Sequence, residues 1–263
     1  MEVPIYQVDA FTDHVFGGNP AAICPLNEWL PDETLQSIAA ENNLAETAFF
    51  IQQGAGSNEY ALRWFTPVVE MPLCGHATLA SAHVIFTHLQ PQASELRFQS
   101  KSGQLLVTRE GSLLTLDFPA RPAVKTTPPA ALVDGLGTQP LEVWKAPYMM
   151  AVFPHEDDVR TLRPDMRVLG DLDPVICTAP GSGDIDFVSR FFAPSHGIDE
   201  DPVTGSAHCT LVPYWAARLK KSKMRARQIS PRVGDLWVEL RGDRVSMSGY
   251  GVEYLRGTIT IPA

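Results

Sequence analysis

The sequence predicts an α+β fold made of two similar domains, and an internal repeat carries this prediction. "RWFTPVVEMPLCGHA" begins at Arg63 and "RFFAPSHGIDEDPVTGSA" begins at Arg190, 127 residues later. Both begin Arg-aromatic-Phe-x-Pro and end Gly-x-Ala, and their glycines, Gly75 and Gly205, are 130 residues apart. A further pair of segments, "GQLLVTREG" and "GDLWVELRG", is 131 residues apart. Matches at a nearly constant offset indicate a duplicated structural unit.

The second observation is that strand patterns outnumber helix patterns, with one long helix in each half. β-branched and alternating segments predict strands in the first half at Val3–Ala10, Ala21–Cys24, Ala48–Gln52, Tyr60–Phe65, Glu95–Gln99, Leu105–Arg109 and Leu113–Phe118. Helices are predicted at Asp32–Glu41, directly after Pro31, and from Gly75 to about His88.

The second half repeats this pattern. Strands are predicted at Leu141–Val143, Met149–Phe153, Val175–Thr178, Asp186–Phe192, Met224–Gln228, Leu236–Leu240 and Arg244–Ser248, and "YGVEYLRGTITI" adds one or two more. Helices are predicted at Asp157–Leu162 and Gly205–Leu219. The Pro-rich "PARPAVKTTPPAA", from Pro119, predicts a linker, so we place one domain at residues 1–118 and the other at 119–253. An antiparallel sheet around a central helix, used twice, fits these elements.

Composition restricts the partners. The net charge of −9 argues against nucleic acids and anionic membranes, while local amides could still bind a small anion. The start "MEVPIYQVDAF" has no basic region followed by an apolar run, so no signal peptide is predicted, and no apolar segment is long enough to span a bilayer. The four cysteines show no C-x-x-C spacing and indicate free thiols in the cytoplasm.

The segment "GIDEDPVTGSAH", from Gly197, places three acids just before a predicted helix. They could simply cap the helix and interact with its dipole. Alternatively, the small residues Thr204, Gly205 and Ser206 leave backbone amides open to an anion, with Asp201 acting on it. The similar start at Gly75 favours an anion site, because two similar domains would bring both helix starts to one cleft.

Four motifs resemble the phenazine-biosynthesis PhzF-like family: "DAFTDHVFGGNPAAIC", "LAETAFF", "RWFTPVVEMPLCGHATLAS" and "SRFFAPSHGIDEDPVTGSAH". The resemblance extends from about residue 4 to residue 260. It implies the diaminopimelate-epimerase-like fold, with two pseudo-symmetric domains, an active site between them and a C-terminal strand, 254–263, that returns to the N-terminal domain. A homodimer is usual in this family.

The resemblance also implies a reaction and its residues. Glu46 would be the general acid/base of a cofactor-independent isomerase that moves a proton within a small carboxylate-bearing substrate. His76, Asp201 and Ser206 would complete the catalytic set. The substrate-binding residues would be Asn19, Cys74, Gly75, Ala77, Thr204 and Gly205. No metal and no organic cofactor are expected.

Each of these residues also has a structural interpretation. Glu46 could be a strand-end glutamate in water, His76 a capping residue, and Asn19 part of a Gly-Gly-Asn-Pro turn. Related epimerases use two thiols just before the helix glycines, but Cys74 has Thr204 as its counterpart, and a threonine hydroxyl cannot replace a thiolate. Two alternatives stay open: a racemase or epimerase assisted by Cys74 alone, and a non-catalytic protein that binds a metabolite or a partner.

Overall fold

The structure, a computed structural model, describes residues 1–261 and divides into two compact units. Unit 1 comprises Met1–Asp117 together with the chain from Ser248 onward, and unit 2 comprises Phe118–Met247. The sequence placed the return to the first domain at residue 254. The structure places it at Ser248, because the last strand begins at Gly251 and pairs with the first strand from that residue.

Unit 1 contains two helices and all seven strands predicted for the first half of the chain. Its strands are β1 (Glu2–Ala10), β2 (Asn19–Leu26), β3 (Glu46–Gln52), β4 (Glu59–Phe65), β5 (Glu70–Met71), β6 (Glu95–Ser100), β7 (Gly103–Glu110), β8 (Leu113–Pro119) and β18 (Gly251–Thr260). Its helices are α1 (Asp32–Asn42) and α2 (Gly75–Val84), and a π-helical turn, Ile85–Leu89, continues α2. The final twelve-residue segment therefore forms one strand rather than two.

Unit 2 repeats the order of the elements from β1 to β8, with three additions. Its strands are β9 (Val124–Thr126), β10 (Glu142–Lys145), β11 (Met149–Val152), β12 (Val175–Pro180), β13 (Phe187–Ala193), β14 (Ile198–Glu200), β15 (Lys223–Gln228), β16 (Gly234–Arg241) and β17 (Arg244–Gly249). Its helices are α3 (Ala130–Leu136), α4 (Glu156–Arg160), α5 (Met166–Leu169) and α6 (Gly205–Leu219). The additions are β9, α3 and α5. The sequence analysis missed α3 and α5, and β9 lies within the segment predicted as a linker.

The strand pairing repeats between the units. In unit 1, β2 pairs parallel with β3, β3 antiparallel with β4, and β4 parallel with β6. In unit 2, β11, β12, β13 and β15 pair in the same sequence of directions. These four parallel pairs occur where a helix connects the two strands, as a parallel crossover requires, whereas β3–β4 and β12–β13, which no helix connects, are antiparallel. The predicted α+β fold is confirmed.

An arginine–glutamate pair occupies the repeated position in each unit. Arg63 on β4 contacts both carboxylate oxygens of Glu70 on β5, at 2.8 and 2.9 Å. Arg190 on β13 contacts both oxygens of Glu200 on β14, each at 2.8 Å. This two-pronged geometry suits the planar guanidinium and fixes each short strand beside its long neighbour. It also explains the arginine that opens both repeat segments.

The central helix of unit 1 is buried on nearly every side. Eight of the ten residues of α2 are buried, as expected for a helix enclosed by a sheet rather than lying on its surface. Its polar members Thr78 and Ser81 donate to the carbonyls of Cys74 and Ala77, one turn earlier. These hydrogen bonds reduce the cost of burying the two hydroxyls.

Helix α6 takes the same central place in unit 2 and contains Pro213. A proline has no N–H to donate to the carbonyl four residues earlier, here that of Cys209. The Arg121 N–H donates to this carbonyl at 2.8 Å. The chain after β8 thus satisfies the acceptor that the proline leaves open. Within residues 1–261, no helix is long and apolar enough to cross a membrane.

Candidate active site

Four predicted site residues meet at the start of α2. The Nε2 atom of His76 lies 3.1 Å from Oε2 of Glu46. On the other side of the ring, Nδ1 of His76 lies 3.1 Å from Nδ2 of Asn19 and 3.5 Å from Sγ of Cys74. All four residues belong to unit 1, so that unit alone assembles this cluster, which we call the Glu46–His76 cluster.

The fold explains this meeting. Asn19 and Glu46 are the first residues of β2 and β3, and parallel strands begin at the same edge of a sheet. Cys74 is the N-cap of α2 and His76 its second residue, and α2 packs against both strands. Strand starts and helix start therefore converge on one point.

Burial and charge set the protonation of the cluster. Burial, followed by the negative charge of Glu46, raises the pKa of Cys74 to about 11, so this residue is a neutral thiol at neutral pH. Burial lowers the pKa of His76, but its electrostatic contacts with Cys74 and Glu46 outweigh burial and hold the pKa well above its usual value. Since Cys74 is a neutral thiol, the Glu46 carboxylate is the charge that favours the protonated imidazole.

The Glu46–His76 contact has ion-pair distance without hydrogen-bond alignment. Among the residues that the structure describes, neither Oε2 of Glu46 nor Nε2 of His76 forms an aligned hydrogen bond. The Glu46 side chain keeps 15% of its surface exposed, against 5% for His76. The carboxylate is therefore the member of the pair that a small molecule can reach, and both atoms have hydrogen-bonding capacity to offer it.

A second buried network fixes the start of α6 in unit 2, and its centre is Gln228. Its Oε1 accepts the Thr204 N–H at 2.9 Å, and its Nε2 donates to the Asp201 carbonyl at 2.7 Å and to Thr204 Oγ1 at 3.2 Å. The Thr204 hydroxyl donates to Oδ2 of Asp201 at 2.5 Å. Because Nε2 of Gln228 can only donate, Thr204 Oγ1 accepts that hydrogen bond. The hydroxyl proton of Thr204 must therefore point to Asp201.

The backbone amides at both helix starts lack a side-chain cap. Within the described chain, no side-chain hydrogen bond caps α2 at Cys74 or α6 at Thr204. Gly75 and Ala77 lie in the first turn of α2, and Gly205 lies in that of α6. Amides in a first turn point along the helix axis and are suited to bind a carboxylate.

Ser206, the second residue of α6, contacts a tyrosine. Its Oγ lies 3.3 Å from the hydroxyl of Tyr148, whose ring packs edge-on against Phe191 at 5.1 Å. Tyr148 directly precedes β11 and Asn19 begins β2, so in each unit a residue near the start of this repeated strand meets the second residue of the central helix.

The three acids before α6 have separate positions. Asp199 is exposed, Glu200 pairs with Arg190, and only Asp201 enters the buried network at the helix start. The sequence analysis missed Gln228 and Tyr148. Gln228 lies on a strand with no motif around it, and the repeat could have drawn attention only to Tyr148, through the strand start that it shares with Asn19.

Comparison with known proteins identifies the family. Residues 8–257 match the model of the phenazine biosynthesis-like protein family. The chain belongs to the phenazine biosynthesis-like family. An uncharacterised isomerase of Pseudomonas aeruginosa is 47% identical over 260 residues, covering 98% of this chain and 99% of that protein.

Solved structures agree with this assignment. The crystal structure of a phenazine biosynthesis PhzF-family protein from Enterococcus faecalis has a TM-score of 0.95 and 43% identity, covering 99% of this chain and all of that one. A hydroxyproline epimerase from Agrobacterium vitis shares the fold alone, with a TM-score of 0.61 and 9% identity over 98% of this chain and 92% of that one. Like the relatives that are named isomerases, the protein is an enzyme of the isomerase class.

Proposed function

We propose that the protein is a cofactor-independent isomerase in which Glu46 moves a proton within a small carboxylate-bearing metabolite. The observation that carries this proposal is the 3.1 Å contact between Glu46 and His76, in a buried cluster at an uncapped helix start. A positioned carboxylate can take a proton from a carbon next to a carbonyl or a double bond and return it elsewhere.

His76 and Asn19 support the carboxylate. A positive or proton-donating imidazole lies 3.1 Å from the Glu46 carboxylate and can orient it to act as a base. When Glu46 takes the proton, the same imidazole can donate to the substrate and polarise it. Asn19 can serve either state of the ring, because its amide can face Nδ1 with an N–H donor or a carbonyl acceptor.

The amides of Gly75 and Ala77 would bind the substrate carboxylate beside Glu46. The first turn of α2 contains no acidic residue that would compete for them. Thr204, Gly205 and Ser206 offer a second set of donors at the start of α6, next to Asp201. That both helix starts bind one substrate between the domains stays a prediction of the sequence, as do the cytoplasmic location and the homodimer.

A racemase assisted by Cys74 is the second candidate, because Sγ lies 3.5 Å from His76 Nδ1. Two facts weigh against it. The pKa of Cys74 is raised to about 11, which leaves little thiolate at neutral pH. In the repeat, Thr204 is the counterpart of Cys74, and a threonine hydroxyl is too weak an acid to be the second base.

Deuterium uptake tests the proposal without a known substrate. The protein is incubated in D₂O with a panel of unsaturated, hydroxy and amino carboxylic acids, and NMR follows deuterium entering carbon positions. We expect uptake that falls by about 10²–10⁴-fold in Glu46→Gln, the range typical of a general base. Glu41→Gln, a change of an exposed glutamate on α1, is the matched control and should keep full uptake.

The two candidates give opposite results in this assay. Uptake that persists in Glu46→Gln and disappears in Cys74→Ser would replace the glutamate mechanism with the cysteine one. Uptake that depends on Glu46 and survives Cys74→Ser supports the proposal.

A further inference from the structure

The Glu46–His76 cluster contains the three kinds of donor atom that a zinc-like cation prefers. One ligand atom each from Glu46, Cys74 and His76 lies within 4.8 Å of the other two. Among residues 1–261 this is the one group of histidine, cysteine and acidic side chains with that geometry. A carboxylate oxygen, an imidazole nitrogen and a thiolate are all ordinary zinc ligands.

The spacing of two of the donors already fits. Zinc bonds of about 2.0–2.1 Å to nitrogen and about 2.0–2.2 Å to oxygen place tetrahedral ligands roughly 3.3 Å apart. Nε2 of His76 and Oε2 of Glu46 are 3.1 Å apart. The Cys74 thiol, which now lies 3.5 Å from Nδ1 of His76, must turn toward this pair to complete the set.

Burial gives a second, independent indication of a ligand. Only 5% of the His76 side chain is exposed. Within the described chain, however, neither its Nε2 nor Oε2 of Glu46 has an aligned hydrogen bond. Buried polar atoms are normally satisfied. A substrate group or a cation at this place would satisfy them.

We infer that Glu46, Cys74 and His76 bind one soft divalent cation, with Zn²⁺ as the natural candidate, and that this cation inhibits the enzyme. Three protein ligands leave a fourth position for water. Binding releases the thiol proton of Cys74 and one imidazole proton of His76 to solvent, and it occupies the carboxylate of Glu46. Only the inhibition rests on the proposed function; the binding rests on the geometry of the cluster.

Cobalt(II) is the probe, because a thiolate bound to Co²⁺ gives a charge-transfer absorption in the near ultraviolet. The full-length, metal-free protein is titrated with cobalt chloride under anaerobic conditions. We expect this absorption to saturate at one equivalent per chain, and Zn²⁺ to abolish it by displacing cobalt, because a thiolate ligand favours zinc.

Variants assign the ligands. Cys74→Ser should abolish the charge-transfer absorption, and Glu46→Gln should keep it while weakening binding by at least about 10-fold. Cys24→Ser is the matched control, since Cys24 is another buried thiol of unit 1, and it should bind cobalt as the unchanged protein does. Thermal unfolding checks that each variant is folded. If Cys74→Ser does not fold, Glu46→Gln tests the site.

Absence of the absorption in the unchanged protein, or its persistence in folded Cys74→Ser, would overturn the inference. The outcome is separate from that of the proposed function, because the cobalt spectrum needs no substrate. If cobalt binds and the metal-free protein shows no Glu46-dependent deuterium uptake, the metal site stands and the proposed function fails. If uptake occurs and cobalt leaves it unchanged at saturation, the inhibition is refuted.

Discussion

Replacing Gln228 with methionine should release the start of α6. Gln228 is fully buried, and its amide makes three hydrogen bonds to Thr204 and Asp201. Methionine has a similar length but can neither donate nor accept in this way. The change therefore removes the Gln228 hydrogen bonds from the Thr204 N–H and from the Asp201 carbonyl in the interior of unit 2.

The expected magnitude follows from counting these groups. A buried donor or acceptor that loses its partner costs about 1–3 kcal/mol. Two such groups cost about 2–6 kcal/mol, and the Thr204 hydroxyl additionally loses the donor that orients its proton toward Asp201. Since 1.4 kcal/mol corresponds to a tenfold change, the lower bound is roughly a 30-fold change in an equilibrium constant.

Amide hydrogen exchange measured by NMR reports this change at the residue concerned. The Thr204 amide should exchange at least about 30-fold faster in Gln228→Met, whereas the Thr78 amide of α2, in unit 1, should be unaffected. Ser230→Ala, two residues after Gln228, is the matched control. It removes a single hydrogen bond, to the Pro202 carbonyl at 2.9 Å, and should cost about 1 kcal/mol.

Two outcomes would refute this reasoning. Exchange of the Thr204 amide within threefold of the unchanged protein would mean that Gln228 does not hold the helix start. An equal acceleration of the Thr78 amide would mean that the substitution destabilises the whole molecule rather than this network.

Three further predictions concern single side chains of the Glu46–His76 cluster and of the start of α6. Thr204→Val removes the donor to Asp201 and should lower deuterium uptake by about 10-fold or more, whereas Thr204→Ser should restore it. Cys74→Ser should keep uptake within about tenfold, because a neutral thiol is not the base; a complete loss would contradict this. Burial lowers the pKa of His208 from 6.5 to about 4, so unfolded His208 binds a proton as the pH falls below 6.5 while folded His208 stays neutral. Stability should therefore fall by about 2 kcal/mol between pH 7 and pH 4.5, and urea unfolding of His208→Asn should show a smaller fall.

The sequence predicted the elements that depend on local pattern. Helix α6 was predicted with its exact bounds, because Gly205 marks a clear start and an apolar stretch follows it. Helix α5 was missed because it has only four residues and no periodicity can be read from so short a segment. Strands β5 and β14 were missed for the same reason, and what holds each of them, an arginine of the neighbouring strand, is a tertiary contact.

The candidate site could be predicted where residues stand in motifs. Asn19, Glu46, Cys74 and His76 were all named from the sequence, and the structure brings them together. Gln228 could not be predicted, because its role depends on the pairing of β15 with β13, which places it beside the start of α6. A glutamine on a strand is ordinary in sequence, and only its complete burial with three hydrogen bonds shows its importance.

The repeat separates what the fold needs from what the chemistry needs. Both units keep the arginine–glutamate pair, which fixes a short strand, and a helix start without a side-chain cap in the described chain. Glu46 and His76, the proposed acid/base residues, are not repeated. Strand register places Pro174 where unit 1 has Glu46, and the helix offset places Ser206 where it has His76. Neither proline nor serine can exchange a proton at neutral pH as glutamate and histidine can. In the proposed mechanism, proton transfer would therefore belong to unit 1, and unit 2 would contribute hydrogen bonds and the carboxylate of Asp201.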